Sequence, residues 1–544
     1  MSEYTVGKRY LHARTRAPLT LRYVGLLPGL DATWLGVEYD DPTRGKHGGD
    51  HKGEQIFHAA PNAGAFIKCT STRPLVEGAE LIAALQERYG LLEGEDGGRQ
   101  GADSVLLGDS GIVVEAPGME DVARRIERLE RLREVGLESE WVAQLGGSER
   151  ERKLLKERLK AVRILDLSSN LLSSWRDVGE IVAHLTGLKV LILNHSRIQS
   201  VRGTLSNEEM DSLRNAFATV SELHLGYSAL NWAEAVDIAS LFPALQTLFL
   251  NHNSGIVDLS TLQDQDAATS MSRLQVLSID GCRAESWSDV AHSLSALPAL
   301  TAAQLSELPI TTISPRRSSL TFPHLTRLTL GGAHVFTWAD IDRLDDWTAG
   351  RLENLRISCA SRESGVLKRT TDPLLMSGNP SADRPLLIAK LARLTSLNGS
   401  NVTPAERWDS ELFYVHYVDK LPVTERSTWA RYAELVKKHD IGPKAPGPMI
   451  ASNHLNLKSK LIVLNVIPPN GMTMTLRLLP SATTASLQKR VARQLKVPAV
   501  RVWTARPHPE APEAIGAWEP VAEMDQGQEI GYWVGDGDTV VVVV

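Results

Sequence analysis

The 544-residue sequence predicts a multidomain chain: a small β-barrel-like module, a long α/β repeat solenoid, and a compact mixed α/β domain at the C-terminal end. Three observations predict it. Residues 1–76 carry short β-branched and aromatic runs punctuated by Gly, Pro and Asp, as expected of short strands joined by tight turns. Across 161–425 a leucine pattern recurs at a nearly constant interval. Residues 459–544 read strand, turn, strand, helix and further strands. The length also exceeds what one hydrophobic core serves, which is about 250–300 residues.

In the first module the strand candidates are "LTLRYVG" (19–25), "TWLGVEYD" (33–40), "EQIFHA" (54–59) and "AFIKCT" (65–70). Residues 77–118 read as a linker or insertion, with one helix-like stretch, "GAELIAALQERYG" (78–90), and a loop-like one, "EGEDGGRQGADS" (93–104). Between 119 and 160, Val122, Ile126, Leu129, Leu132, Leu154, Leu155 and Leu159 fall at helical spacing, so a helical cap is expected before the repeats. "VGLESEWVAQLGG" (135–147) interrupts the heptads and argues against a coiled coil.

The repeats begin "VRILDLSSNLL" (162–172), "LKVLILNHSRI" (188–198), "VSELHLGYSAL" (220–230), "LQTLFLNHNSGI" (245–256), "LQVLSIDGCRA" (274–284), "LTAAQLSELPI" (300–310), "LTRLTLGGAHV" (325–335) and "LENLRISCA" (352–360). All approximate L-x-x-L-x-L-x-x-N/C-x-L, and the first six starts are 26, 32, 25, 29 and 26 residues apart, the period of leucine-rich repeats. Each strand turns its leucines inward, and only a stack of such units buries them. Trp175, Trp232, Trp287 and Trp338 open the return segments and are expected to pack at repeat junctions. Residues between the inward leucines face the concave side: Asp166, Ile192, Asn194, His224, Phe249, Asn251, Ser278, Asp280 and Thr329. Solenoids hold other proteins on such surfaces.

A helical closure, "LTSLNGSNVTPAERWDSELFYVHYVDKL" (394–421), ends the stack. Residues 426–458, with "IGPKAPGPM", read as a linker. In 459–544 the Pro469-Asn470-Gly471 turn between alternating strands is a hairpin signal, and "VVVVV" after "GDGD" reads as a final buried strand.

The stretch "RGKHGGDHKGEQIF" (44–57) carries the densest chemistry. A phosphate-binding P-loop needs G-x-x-x-x-G-K-[ST], but Asp40 stands where the first glycine belongs and His47 follows Lys46. Structural zinc needs four convergent ligands, and His47, His51, His58 and Cys69 supply no matching second pair. Peptide capture fits better: glycine-exposed N–H groups suit a carboxylate, lysine attracts acidic residues, and Trp34 and Phe57 offer an apolar wall. No metal, cofactor or catalytic constellation is expected.

The formal charge of −6, pI near 6.2 and absence of a long basic block argue against a nucleic-acid partner. The N-terminal stretch has no apolar h-region and no segment reaches the roughly 18 apolar residues that span a bilayer, so no membrane role is expected. Cys69, Cys282 and Cys359 are odd in number and far apart, which suits reduced, packed thiols in the cytoplasm.

"WLGVEYDDPTRGKHGGDHKGEQIFHA" (34–59) followed by "GAFIKCT" (64–70) resembles the CAP-Gly domain family, with its W-x-G-V-E, G-K-N-D-G, G-x-x-x-F and G-x-F-[VI]-[RK] elements in order. The resemblance implies binding of the acidic Glu-Glu-Tyr tail of α-tubulin and similar tails. It assigns Gly45, Lys46, His47 and Gly49 to the groove, Trp34 and Phe57 to its aromatic wall, and Lys68 to the basic position near the carboxylate. His47 replaces the family's Asn and Gly48 its Asp. The C-terminal domain resembles the ubiquitin-like β-grasp, without a terminal Gly-Gly. The whole order resembles the tubulin-folding cofactors, which implies a cytoplasmic, cytoskeleton-associated, non-enzymatic binder of α-tubulin acting with cofactors B, C and D and a small GTPase in assembly and dissociation of αβ heterodimers. The alternatives are a microtubule-associated CAP-Gly adaptor and a ubiquitin-pathway adaptor that brings tubulin to the proteasome.

Overall fold

The computed structural model describes residues 4–69, 73–89, 105–107, 112–114, 131–259, 264–316, 321–333, 337–359, 361–363, 366–368, 380–441, 462–469, 473–479, 482–507, 518–525, 527–528, 530–534 and 538–543. The chain divides into two compact units, 1–441 and 442–544.

The first unit opens with an antiparallel sheet in the order Gly64–Lys68, Thr33–Tyr39, Pro18–Leu26, Arg9–His12, Leu75–Val76. Side-chain alternation along each strand decides the faces. Leu19, Leu21, Leu35 and Val37 turn inward with Tyr10 and Leu75 and are buried. Trp34 and Gly36, one residue out of phase, point to the opposite face. The Arg9 guanidinium, 3% exposed as a residue, is held by both oxygens of Asp40 at 3.0 and 2.6 Å, so a charge inside this small module is paired rather than stranded.

Ala79–Glu80 pairs in parallel with Val142–Gln144, and the helix Leu81–Tyr89 turns Leu81, Ile82, Ala84 and Leu85 into the repeat core. Part of the expected linker 77–118 therefore closes the open end of the solenoid; the loop-like 93–104 lies outside the described residues. Of the expected helical cap 119–160, Val122, Ile126 and Leu129 also lie outside them. Glu134–Gly136 is a strand, parallel to Ile164–Asp166, because Val135 and Leu137 bury with a period of two rather than 3.6. The cap helix runs Glu149–Arg158 behind a Ser148–Glu151 capping box.

The repeat strands follow in chain order as one parallel sheet: Ile164–Asp166, Val190–Ile192, Glu222–His224, Thr247–Phe249, Val276–Ser278, Ala302–Gln304, Arg327–Ala333 and Asn354–Cys359, then Ser396–Leu397. Their register aligns Val135, Leu165, Leu191, Leu223, Leu248, Leu277, Ala303, Leu328, Leu355 and Leu397 into one buried row. Each buried leucine contributes about 1.5–3 kcal/mol of transfer free energy, so every repeat adds its own increment to the stack's cohesion. The N/C position of the repeat is a backbone clamp. Asn253 is fully buried; its Oδ1 accepts from the Ser228 and Leu230 N–H groups and its Nδ2 donates to the Leu225 and Leu250 carbonyls, at 2.8–3.1 Å. Cys282 fills the same position one repeat on, its thiol donating to the Leu250 carbonyl, and burial pushes that thiol up to about 11.

Trp175, Trp232 and Trp287 start outer helices behind caps Ser174, Asn231 and Ser286 and are buried at the junctions, Trp175 edge-on to Phe217 and Phe242. Trp338 starts the helix after Thr337 and is half-buried. At the far end the helices Pro380–Lys390, Pro404–Asp419 and Tyr432–Lys438 enclose Leu386, Tyr414, Val418 and Leu435. The last of these lies in the expected linker 426–458; it is ordered against the cap because Lys438 and His439 hold the buried Glu411 carboxylate at 2.7–2.8 Å.

The second unit has the sheet order Met474–Leu478, Ile462–Ile467, Thr539–Val543, Arg501–Pro507, Trp518–Glu523, that is 2-1-5-3-4, with first and last strands parallel. The helix Thr484–Leu495 packs Leu487 and Val491 against Leu464, Val502, Val540 and Val542. Asn470 and Gly471 of the expected turn lie outside the described residues, but Val466 and Met474 pair as that hairpin requires.

Candidate peptide-tail groove and concave face

The candidate groove residues come together where the loop 44–57 meets the strands Thr33–Tyr39 and Gly64–Lys68. Cross-strand register places Trp34 beside Lys68 and Gly36 beside Phe66. The loop is pinned by its backbone. Lys46 N–H donates to the Gly64 carbonyl at 2.8 Å, Gly64 N–H returns to His47 O at 2.8 Å, and Ile56 and Phe57 N–H groups both reach Gly49 O. Glycine is sterically required at several positions here. Gly49 has φ of +104°, and a Cβ there would come within 1.9 Å of Phe57 O. A Cβ on Gly36 would sit 2.5 Å from the Phe57 ring, which is 7% exposed.

His47, expected from sequence to replace the motif's Asn, makes a local bond to the backbone. Its Nδ1 accepts the Gly49 N–H at 3.0 Å, the bond to residue i+2 that an Asn side chain makes in an Asx turn. That acceptor role leaves the proton on Nε2 in the neutral ring. The imidazole also stacks on Phe66, centroids 4.9 Å apart, and stands edge-on to Phe57 at 6.3 Å; Phe57 meets Phe66 at 5.4 Å and His51 meets Phe66 at 5.8 Å. The exposed Lys46 and Lys68 are in no ion pair among the described residues.

Of the seven groove residues expected from sequence, Gly45, Lys46, His47, Gly49 and Phe57 are brought into one bonded loop. A Cβ at Gly45 would strike the Asn62 and Ala63 backbone at 2.3 Å, so Gly45 seats the loop against that turn. Trp34 and Lys68 pair with each other on the same outer face, and among the described residues no ring contact joins Trp34 to Phe57. The Trp34 indole N–H is buried without a partner. Phe66, which carries the His47 ring, was not in the expected set. The available signal was its place across from Gly36 in two motifs that each alternate around a glycine.

On the solenoid, the expected concave residues fall on neighbouring strands in two rows. Asp166, Ile192, His224, Phe249, Ser278 and Thr329 share a register row; Ser278 is fully buried and the others are half-buried. His224 stacks on Phe249 at 4.3 Å and its Nε2 lies 2.7 Å from the Glu222 carboxylate. Asn194, Asn251 and Asp280 begin the turns after the strands: Asn194 Oδ1 accepts from Gly226 N–H, Asn251 Oδ1 from the Ser278 hydroxyl and Asp280 Oδ1 from Ser306 N–H. Their oxygens are thus partly committed to the scaffold. Sequence reasoning passed over the rings beside them, His195, Tyr227 and His252, which stack on one another.

Residues 6–72 match the CAP-Gly domain family. Over a longer span the chain is 27% identical to tubulin-specific chaperone E of Bos taurus across 549 residues, covering 96% of each chain. The chain is similar to tubulin-specific chaperone E along nearly its whole length. The Xenopus laevis tubulin-specific chaperone E is 27% identical over 88% of each chain. The tubulin-folding cofactor E of Arabidopsis thaliana is 29% identical over 78% of this chain and 76% of its own. The similarity to tubulin-specific chaperone E runs through the repeats and the C-terminal unit in one alignment, well beyond the CAP-Gly match over residues 6–72. Among the described residues no helix is long and apolar enough to cross a membrane, and no group of His, Cys, Asp and Glu is arranged to hold a metal ion.

Proposed function

We propose that the chain is a tubulin-folding cofactor that captures α-tubulin at two points. The groove around Lys46, His47 and Gly49 takes the acidic C-terminal tail, and the concave face around Asp166, Ile192, Asn194, His224, Phe249, Asn251 and Asp280 takes the folded body. The observation that supports this reading is the coincidence of the bonded loop around His47 and Gly49, with Lys46 and Lys68 exposed and in no ion pair among the described residues, with similarity to tubulin-specific chaperone E over 96% of the chain. Weak sites on one chain act together because binding at the first raises the local concentration at the second.

On this reading the protein is a binder rather than an enzyme, cytoplasmic and cytoskeleton-associated, and acts with cofactors B, C and D and a small GTPase in assembly and dissociation of αβ heterodimers. The 2-1-5-3-4 sheet of residues 462–543 supports a ubiquitin-like β-grasp as the third domain, after a CAP-Gly domain over 1–76 and repeats over 161–425. Co-purification of the tagged full chain is the test. Soluble α-tubulin with the other cofactors supports the proposal, with recovery reduced by Lys46→Ala. Recovery of microtubule polymer alone, or of proteasome subunits without soluble tubulin, overturns it in favour of an adaptor.

A further inference from the structure

The turns that end the concave strands stack a single side-chain position from repeat to repeat. Ser139, Ser169, His195, Tyr227, His252 and Gly281 all have φ between 55° and 68°. Each of the first five sends its N–H to the carbonyl one residue before its counterpart in the following repeat, at 2.7–3.0 Å. Where that position holds a ring, the rings stack: His195 on Tyr227 at 4.5 Å and 7°, Tyr227 on His252 at 4.5 Å and 20°. One end of the column is closed, since a Cβ on Gly281 would lie 2.1 Å from His252 Nδ1. At the other end the next two positions are serines, Ser169 and Ser139, so His195 has a stacked ring on one side only.

That open end lies in a cavity of about 490 Å³ that runs down onto the concave face. Glu138 and Asp166 are its acidic lining groups, His195, Tyr227 and Phe249 supply aromatic surface, and no lysine or arginine lines it. Asp166 spends Oδ1 on the Ser168 N–H. The Ser168 hydroxyl, in a residue 9% exposed, is buried in the lining with no partner. Aromatic faces beside uncompensated carboxylates attract cations, and a planar guanidinium both stacks on rings and forks onto carboxylates, which an ammonium does not.

We propose that this cavity docks an arginine side chain of the protein held by the solenoid, its guanidinium lying on His195 as the next rung of the column, with Glu138 and Asp166 as counter-charges. The inference rests on the reading of the solenoid as a protein-capturing surface, and it gives the two capture points opposite chemistry: an acid in the groove, a base in the cavity.

The test uses the full chain and two probes, acetyl-Gly-Arg-Gly-amide and its citrulline counterpart, which keeps the shape and lacks the charge, followed by saturation-transfer NMR. The arginine peptide is expected to bind at least fivefold more tightly than the citrulline one. Glu138→Gln with Asp166→Asn, and separately His195→Ala, are expected to remove that preference while affinity for an acidic Glu-Glu-Tyr peptide is unchanged. With soluble tubulin the carboxamide pair should lower affinity about tenfold, the loss of one cation contact. Equal binding of the two probes, or a preference that survives both variants, overturns the proposal even if tubulin binds. Selective arginine binding in a chain that binds no tubulin upholds the cavity assignment and refutes the proposed function instead.

Discussion

Replacing His47 separates the two things its ring does. His47→Asn keeps an acceptor for the Gly49 N–H, now Oδ1 in place of Nδ1 at 3.0 Å, and loses the stack on Phe66 at 4.9 Å. His47→Leu keeps apolar bulk against Phe66 and leaves that N–H without its partner. An aromatic contact of this kind contributes about 0.5–1.5 kcal/mol, and a buried donor left unpaired costs about 1–3 kcal/mol. Gly49 is buried and its carbonyl also seats Ile56 and Phe57, so a disturbance at its N–H is transmitted to the aromatic wall. Affinity for an acidic peptide ending in Glu-Glu-Tyr, measured by calorimetry on the full chain, should therefore fall only a few-fold in His47→Asn. It should fall about tenfold or more in His47→Leu, a factor of ten being about 1.4 kcal/mol. If His47→Leu binds the peptide as the parent does while His47→Asn is impaired, the ring stack and not the Asx-like bond sets the groove, and the account given for this residue is wrong.

Gly49→Ala, which puts a methyl group 1.9 Å from Phe57 O at a φ of +104°, should unfold or displace the loop and abolish peptide binding while thermal unfolding of the solenoid stays in place; unchanged peptide affinity would contradict the geometry. Asn253→Ala removes four backbone bonds in a fully buried position and should destabilise the first unit by about 3–5 kcal/mol in denaturant titration. A loss below about 1 kcal/mol would mean that the clamp is dispensable. Asp345 offers a pH test: burial lifts its carboxyl to about 6, against the pull of Arg431 and with the push of Asp342. A carboxyl raised on folding stabilises fully below its unfolded value near 4, and that contribution is lost as pH rises through about 6. Asp345→Asn should therefore match the parent near pH 4 and exceed it by about 1–2 kcal/mol at pH 7.5, a discounted value for a half-buried group; an equal difference at both pH values would contradict the assignment.

The repeat stack was legible because its physical demand is written in every unit: Leu165, Leu191, Leu223 and their successors occupy one register row, and a polar residue in that row would open the stack. The strand Glu134–Gly136 was not legible, since only Val135 and Leu137 mark it and they sit among Arg133, Glu134, Glu138 and Glu140, which read as a charged helix. The helix Leu81–Tyr89 was readable as a helix but not as part of the solenoid, because an amphipathic face does not say which core it covers. In the groove, the glycines and Lys46 follow from the motif, whereas Phe66 becomes visible only when the register sets it beside Gly36 and beneath His47. The ring column follows the same logic: His195, Tyr227 and His252 each precede the clamp position in "LNHSRI", "LGYSAL" and "LNHNSG", but stacking requires the left-handed turn that brings each ring over the next.

The central claim is that groove and concave face bind one partner together. Its most direct test is the affinity of the full chain for three ligands side by side: the isolated acidic tail peptide, soluble tubulin lacking the α-tubulin tail, and intact soluble tubulin. Cooperation of the two sites predicts that intact tubulin binds tighter than either alone by about a hundredfold or more. Equal binding of intact and tailless tubulin would contradict it.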